Sequence, residues 1–534
     1  MTVYLKDILA VLTDPILDGN PLTVVSGVTH DSRKVCPGWI FVAVPGEKSD
    51  GHRFIANAVE AGAAAVIARS HRSREFAEVP WIRVADTRVA LGPVSAVVYR
   101  RPTTRMTLVG ITGTNGKTTL TFLLEAILKS VGARPGVIGT ISYRWHGKEH
   151  AAGNTTPEAS DLQWILSQMA DAGVTHAIME VSSHGLHQGR LEGCEFDLGV
   201  FTNLTQDHLD YHGTFDEYYI AKRILFDRFL ANSSKSSRAA VVNLDDSYGR
   251  RLVREGLPVP VIGYGTTPDC AVYPKAVSLT SDGISALIET PVGAIPVDSR
   301  LAGSFNLSNI LAAVAASAKL GIPVAAVREG IAQVAAVPGR LERVVGNRGT
   351  IFVDYAHTPD ALKNVLAAVK SLSEGRIVTV MGCGGDRDKT KRPIMGMEAA
   401  AGSDFVVVTS DNPRTEEPLD IIRQVEEGVR DYGFSPVAPQ STNDLFVPGH
   451  YTVIPDRRAA IGYAVKLLKK RDVLLVAGKG HETYQEINGV RYAFDDREVI
   501  REELSKLEGP VEGGRAAQEA PDPAESSGVK ENRA

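Results

Sequence analysis

The sequence predicts an α/β protein of three domains built on mostly parallel sheets. Three observations carry this. Short Val/Ile-rich runs alternate with amphipathic helical stretches through the second and third parts of the chain. Polar, glycine-rich turns recur just after those apolar runs, where open parallel sheets gather their ligands. At 534 residues the chain exceeds what one core comfortably serves.

The first block, residues 1–100, has strand-like runs at Trp39–Val44 and Ala64–Ala68 and a helical stretch near Phe54–Ala61, as expected of a small α/β domain. Arg101-Pro102-Thr103-Thr104 reads as a linker into a strong strand, Met106–Thr112. The second block, 101–336, ends where Val337-Pro338-Gly339 interrupts a helical pattern. The third, 337–508, alternates strands and helices; residues 509–534, rich in Pro, Glu, Gly and Ala without periodicity, read as a disordered tail.

Charged residues make up 23% of the chain and its net charge is −5, which argues for neither a nucleic-acid nor an anionic-membrane partner. Four scattered cysteines form no C-x-x-C pair, the pattern of reduced thiols in a cytoplasmic protein. No apolar run approaches the ~18–20 residues of a membrane span.

The sharpest motif is Gly110-Ile111-Thr112-Gly113-Thr114-Asn115-Gly116-Lys117-Thr118-Thr119, a strand, a glycine-rich turn and a helix start. Backbone N–H groups of such a turn cradle phosphate, aided by the partial positive charge of the helix N-terminus. Lys117 is expected to reach the β- and γ-phosphates and Thr118 to hold Mg²⁺, which makes this a P-loop-type central domain. Ile111 stands where the usual pattern has its first glycine. The helix that follows places Leu120, Leu123, Leu124, Ile127 and Leu128 on one face, predicted to pack on the sheet.

Six strand ends carry charge or imidazole: Glu180–His184, Thr202–His212, Asp354–His357, Gly384–Lys389, Asp411–Arg414 and Gly478–Glu482. Singly, each fits a structural turn; together they point to one shared cleft. Glu180 suits a metal-holding carboxylate and His208 a second contact. His208-x-x-x-His212 also admits a zinc reading, but a triphosphate site favours Mg²⁺ and oxygen ligands.

In this order, together with Asp31-Ser32-Arg33, Asn154-Thr155-Thr156-Pro157 and Ala221-Lys222, these motifs resemble the Mur ligase family from about Thr29 to Leu507. The resemblance implies a Rossmann-like C-terminal domain and an ATP-dependent acid–amino-acid ligase of peptidoglycan precursor synthesis. It implies three substrates: ATP, UDP-N-acetylmuramoyl-L-Ala-D-Glu and meso-diaminopimelate. It also implies cytoplasmic location and a monomer. By resemblance, His30, Ser32 and the Glu47-Lys48-Ser49 turn lie near the UDP moiety, while Asn154, Thr155, Thr156, Ser182, Gln188 and Arg190 hold the muramoyl-dipeptide. Residues 113–119 with Asn306, Arg340, Asp354 and His357 surround ATP. Lys222 matches a lysine carbamylated by CO₂ that joins Thr118, Glu180 and His208 around Mg²⁺; on sequence alone it reads as a surface helix lysine. Lys117, Lys222 and His208 form the implied catalytic set. Arg387, Asp411, Asn412, Pro413, Arg414, Gly478 and Glu482 match diaminopimelate contacts, Arg414 facing the distal carboxylate and Glu482 an ammonium; a structural salt bridge is the other reading of Arg414. The competing functions are the same ligase using L-lysine, a folylpolyglutamate-type ligase without the first block, and a non-catalytic scaffold.

Overall fold

The computed structural model describes residues 2–46, 49–439 and 448–508. Glu47 and Lys48 of the expected uridine-side turn, and the whole of the expected tail, lie outside them.

The alternation resolves into three sheets in chain order. In the first, strands Gly27–Thr29, Trp39–Val42, Ala65–Ala68 and Trp81–Arg83 run parallel, with Ile16–Asp18 antiparallel at the edge. The second has eight strands. Thr107–Thr112 lies at its centre between His176–Glu180 and Leu198–Phe201, both parallel to it. Ser142–Trp145 and Lys148–Ala151 form an antiparallel hairpin at one edge. The third sheet has seven strands, parallel except for Glu342–Val344, with Val473–Ala477 between Thr350–Asp354 and Ile377–Met381. An antiparallel meander at Tyr273–Thr280, Gly283–Glu289 and Ile295–Ser299 is added to the middle block.

Strands buried on both faces need apolar side chains throughout, and the central strands have them. The expected face of helix Lys117–Ser130 is borne out: Leu120, Leu123, Leu124, Ile127 and Leu128 are all buried in the core under the central sheet. Burying each is worth about 1.5–3 kcal/mol, so the helix is fixed by packing and its N-terminus is held at the phosphate loop. The expected linker at 101–104 runs through the N-cap Arg101 into the 3₁₀ turn Pro102–Arg105, with Pro102 and Thr103 buried. Proline at the first turn position pre-sets its φ.

The blocks are joined by side-chain contacts. His30 Nδ1 lies 2.9 Å from Ser160 Oγ, and Lys34 pairs with Asp161 at 3.3 Å, tying the first sheet to helix Ala159–Asp171. Helix Ser304–Lys319 packs on both Lys117–Ser130 and Pro359–Leu372 and so spans the middle and last blocks.

Candidate active site

The phosphate loop is pinned from below. Thr114 N–H donates to Asn203 O at 2.9 Å, and Asn115 N–H to the Asn203 side chain at 2.9 Å. Thr202 Oγ1 donates to Asn115 O at 2.6 Å. Gly113 adopts φ 146°, and a Cβ there would fall 1.9 Å from Thr202 Oγ1; at Gly116, φ 88°, it would fall 2.3 Å from Asn309 Oδ1. Only glycine allows this approach at either position. Ile111, at the departure from the usual pattern, is simply a buried residue of the central strand. The Lys117 ammonium folds back onto its own loop, donating to Gly113 O and Thr114 O at 2.8 Å each, so a triphosphate would have to draw it outward. Burial lowers its basicity, with Glu180 and Asp207 acting the other way.

Lys222 is not a surface lysine. Helix Phe215–Ile224 turns it inward, where it is 1% exposed and donates to Gly113 O at 2.9 Å over the ring of Tyr218. Burial drives its pKa well below the ordinary value; Lys117 adds to the shift and Asp207 opposes it. That favours the neutral amine, the form that reacts with CO₂.

Glu180, also buried, accepts from Thr140 through both oxygens, from N–H at 3.0 Å and from Oγ1 at 2.9 Å. His208 has φ 54°, and its ring lies 3.3 Å from the Asp207 carboxylate. Desolvation lowers its pKa, and the Asp207 carboxylate acts the other way. Thr118, Glu180, Lys222 and His208 would offer chiefly oxygen donors if Lys222 carried a carbamate, a set that would suit Mg²⁺. Among the described residues no group of three or more His, Cys, Asp and Glu side chains is arranged to hold a metal. His212, the partner in the zinc reading, is instead committed to Ser183 Oγ at 2.9 Å.

The muramoyl-dipeptide candidates form a ladder. Thr156 Oγ1 donates to Glu180 O at 2.9 Å and accepts from Ser182 N–H at 3.0 Å. Arg190 donates to Thr156 O at 2.9 Å and to Gln188 Oε1 at 3.0 Å, and it pairs with Glu158. Thr155 Oγ1 lies 3.0 Å from Thr140 Oγ1, and Asn154 N–H donates to the Tyr143 hydroxyl at 3.2 Å. His30 is brought to the edge of this group through Ser160; Ser32 begins the 3₁₀ turn Ser32–Lys34, capped by Asp31.

Across the cleft, Arg340 reaches from the third block to Thr118 Oγ1 at 3.4 Å, its guanidinium stacked on Tyr355. Asn306, buried, donates to Ala302 O at 2.8 Å and accepts from Asn309 at 3.1 Å. Asp354 is turned inward to the backbone N–H groups of Leu341 and Ala356, at 2.6 and 2.8 Å. It thus orders the turn carrying Arg340 and the one carrying His357, whose Nδ1 lies 2.8 Å from Tyr355 O.

The amino-acid candidates gather beyond strands Ile377–Met381, Phe405–Val408 and Val473–Ala477. Arg414, at φ 51°, donates to Gly385 O at 2.6 Å. Asn412 Nδ2 donates to Glu482 Oε2 at 2.8 Å, and Gly478 lies directly against the Asp411 carboxylate. Pro413 shapes the approach, its carbonyl pressed against Gly385. Arg387 lines an open pocket of about 420 Å³ with Asp386, Asp388, Lys389, Glu416 and Asp210 of the middle block. Sequence reasoning missed Asn309 and Glu416, and it gave Lys479 no role of its own within the Gly478–Glu482 motif. Glu416 receives both arms of the fully buried Arg392, at 3.0 and 2.8 Å, and accepts from Asp386 N–H, which fixes the loop bearing Arg387.

Three family models match in order: the Mur ligase family catalytic domain over residues 24–99, the Mur ligase middle domain over 111–317, and the Mur ligase glutamate ligase domain over 339–480. The chain is similar to UDP-N-acetylmuramoyl-L-alanyl-D-glutamate–2,6-diaminopimelate ligase of Geobacter metallireducens, 45% identical over 95% of this chain and 100% of the relative. The corresponding protein of Geobacter sulfurreducens is 47% identical over 92% of this chain and 96% of its own. A solved structure of a UDP-N-acetylmuramoyl-L-alanyl-D-glutamate–2,6-diaminopimelate ligase superposes with a TM-score of 0.67 at 32% identity, covering 95% of this chain and 100% of that one. With the three models matched in order along most of its length, the chain belongs to the Mur ligase family.

Proposed function

We propose that this protein is an ATP-dependent amide ligase that adds meso-diaminopimelate to UDP-N-acetylmuramoyl-L-Ala-D-Glu, a cytoplasmic step in peptidoglycan precursor synthesis. The observation that carries this reading is the joining of two chemistries: the phosphate loop and Lys222 in the middle block, Arg414, Asn412 and Glu482 in the last, with Arg340 reaching from the last block to Thr118 Oγ1. In this reading residues 1–100 take the UDP end, 101–336 ATP and 337–508 the amino acid, in a monomer.

A D-glutamyl carboxylate oxygen attacks the γ-phosphorus of ATP; the bond to the β-phosphate oxygen breaks, leaving ADP and an acyl phosphate. The diaminopimelate amine then attacks the acyl carbon, and the C–O bond to phosphate breaks. The amine proton passes to His208 or to solvent. Lys117, drawn off its loop carbonyls, offsets the charge on the transferring phosphoryl group, and the loop N–H groups hold the phosphates in line. Thr118, Glu180, His208 and Lys222, the last as its carbamate, would hold Mg²⁺, which would supply charge neutralisation at the triphosphate. Arg414 pairs with the distal carboxylate as a planar fork and would repel the ammonium that lysine presents there. Glu482 receives an ammonium of the diamine.

The test uses substrate labelled with ¹⁸O in the D-glutamyl carboxylate. Label appearing in released phosphate, together with UDP-tripeptide, is the expected result; product without label in phosphate overturns the acyl-phosphate step.

A further inference from the structure

Lys479 lies inside the amino-acid pocket, and no step above uses it. Its side chain is fully buried, an expensive place for an ammonium unless its protons are taken up. They are: Nζ donates to Asn412 Oδ1 at 2.9 Å and to Glu482 Oε2 at 3.1 Å, and the Asp411 carboxylate stands at 3.7 Å. Asn412 Oδ1 also accepts from Glu486 N–H at 2.9 Å. With two donors on its oxygen, the Asn412 carboxamide has one orientation, which aims Nδ2 at Glu482 Oε2. Glu482 Oε2 is therefore held by two donors. Its Oε1 has no hydrogen-bond partner among the described residues and remains for a ligand.

We infer that Lys479 is a positioning and specificity-determining residue for the incoming amino acid: it locks Asn412 and Glu482 into the geometry that receives an ammonium group and offsets the paired negative charge of Asp411 and Glu482. The inference rests on the reading of Glu482 as a diamine contact. Without the Lys479 ammonium, Asn412 can turn its amide over, Glu482 loses both the cation and a fixed rotamer, and the two carboxylates face each other uncompensated.

The test is a double-mutant cycle on the full chain with Lys479→Met and Glu482→Gln, measuring kcat and the KM of each substrate. Lys479→Met is expected to raise the KM for meso-diaminopimelate roughly tenfold or more, the scale of one charge-assisted hydrogen bond, and to leave the KM of ATP and of the UDP-dipeptide unchanged. Because Lys479 acts through Glu482, Glu482→Gln should add little on top of Lys479→Met. Lys479→Gln, which keeps a donor toward Glu482, should recover part of the loss. Additive effects, or a fall in kcat with all three KM values rising together, overturn the inference. So does failure of both Lys479 variants to fold, which assigns the residue to stability alone. Failure of the parent reading is seen separately: wild-type turnover independent of meso-diaminopimelate, or a Glu482→Gln variant with unchanged KM, removes the diamine assignment and this inference with it.

Discussion

Replacing Asp496 by Asn should unfold the third block well before the rest of the chain. Arg457 and Asp496 are both fully enclosed and meet as a two-pronged pair, Nε to Oδ1 at 2.8 Å and Nη2 to Oδ2 at 2.7 Å. Burial works against the Arg457 charge, and Asp496 restores it so that the guanidinium's pKa rises above its ordinary value. Asparagine keeps the shape but leaves a buried cation unpaired. Breaking such a pair costs about 3–5 kcal/mol, which for a block of this size lowers the melting temperature by roughly 6–20 °C. The damage has a functional side, because Arg457 Nη2 also donates to Ala477 O at 3.0 Å, immediately before Gly478 and the turn proposed to receive the diamine. Calorimetry on wild type, Asp496→Asn and the double variant Arg457→Met/Asp496→Leu tests the argument. The double variant should be less damaged than the single one, since two apolar side chains leave no charge behind. A shift under about 2 °C for Asp496→Asn, or a double variant worse than the single, would refute the reasoning.

Further outcomes follow from the same structure. The hydrogen bond from Arg392, opposed by burial, holds the Glu416 carboxyl down to about 2. Its stabilising contribution is therefore complete above its ordinary pKa of 4.5 and lost as pH falls toward 2; Glu416→Gln should flatten the acid limb of a stability-against-pH curve, and an unchanged limb counts against the pairing. In CO₂-depleted buffer, wild-type turnover should fall and return on adding bicarbonate, whereas Lys222→Met should stay inactive in both; bicarbonate-independent wild-type turnover would remove the carbamate. Arg414→Met should raise the KM for meso-diaminopimelate by roughly 10- to 150-fold, the worth of a hydrogen bond to a charged group, with the KM of ATP unmoved; an unchanged diaminopimelate KM would return Arg414 to a structural role.

Much of the site was legible because chemistry and backbone geometry share the same residues. A glycine turn between a Val/Ile strand and an amphipathic helix both forms a phosphate loop and advertises one, and Ile111 did not obscure it. The strand-end motifs were visible for the same reason. Burial decided by distant segments was not visible. Lys222 sits among Asp216, Glu217 and Arg223 on a polar-looking helix, and only the phosphate loop folding over it makes it an interior amine. Lys479 lies between two glycines, with nothing local to show that Asn412, 67 positions away, accepts its hydrogen bond. Glu416 looks like any acidic loop residue until Arg392 is found wholly enclosed behind it. The meander Tyr273–Ser299 escaped notice because its first strand is largely exposed, so its alternation carries little apolar contrast.

The most direct test of the central claim is phosphate release from ATP and Mg²⁺ with UDP-N-acetylmuramoyl-L-Ala-D-Glu, comparing meso-diaminopimelate with L-lysine as the only amine. Release with meso-diaminopimelate and formation of the UDP-tripeptide, with lysine near background, is the predicted result. Release with lysine and none with meso-diaminopimelate would contradict the role given to Arg414, and silence with both from folded, bicarbonate-supplied protein would contradict the ligase itself.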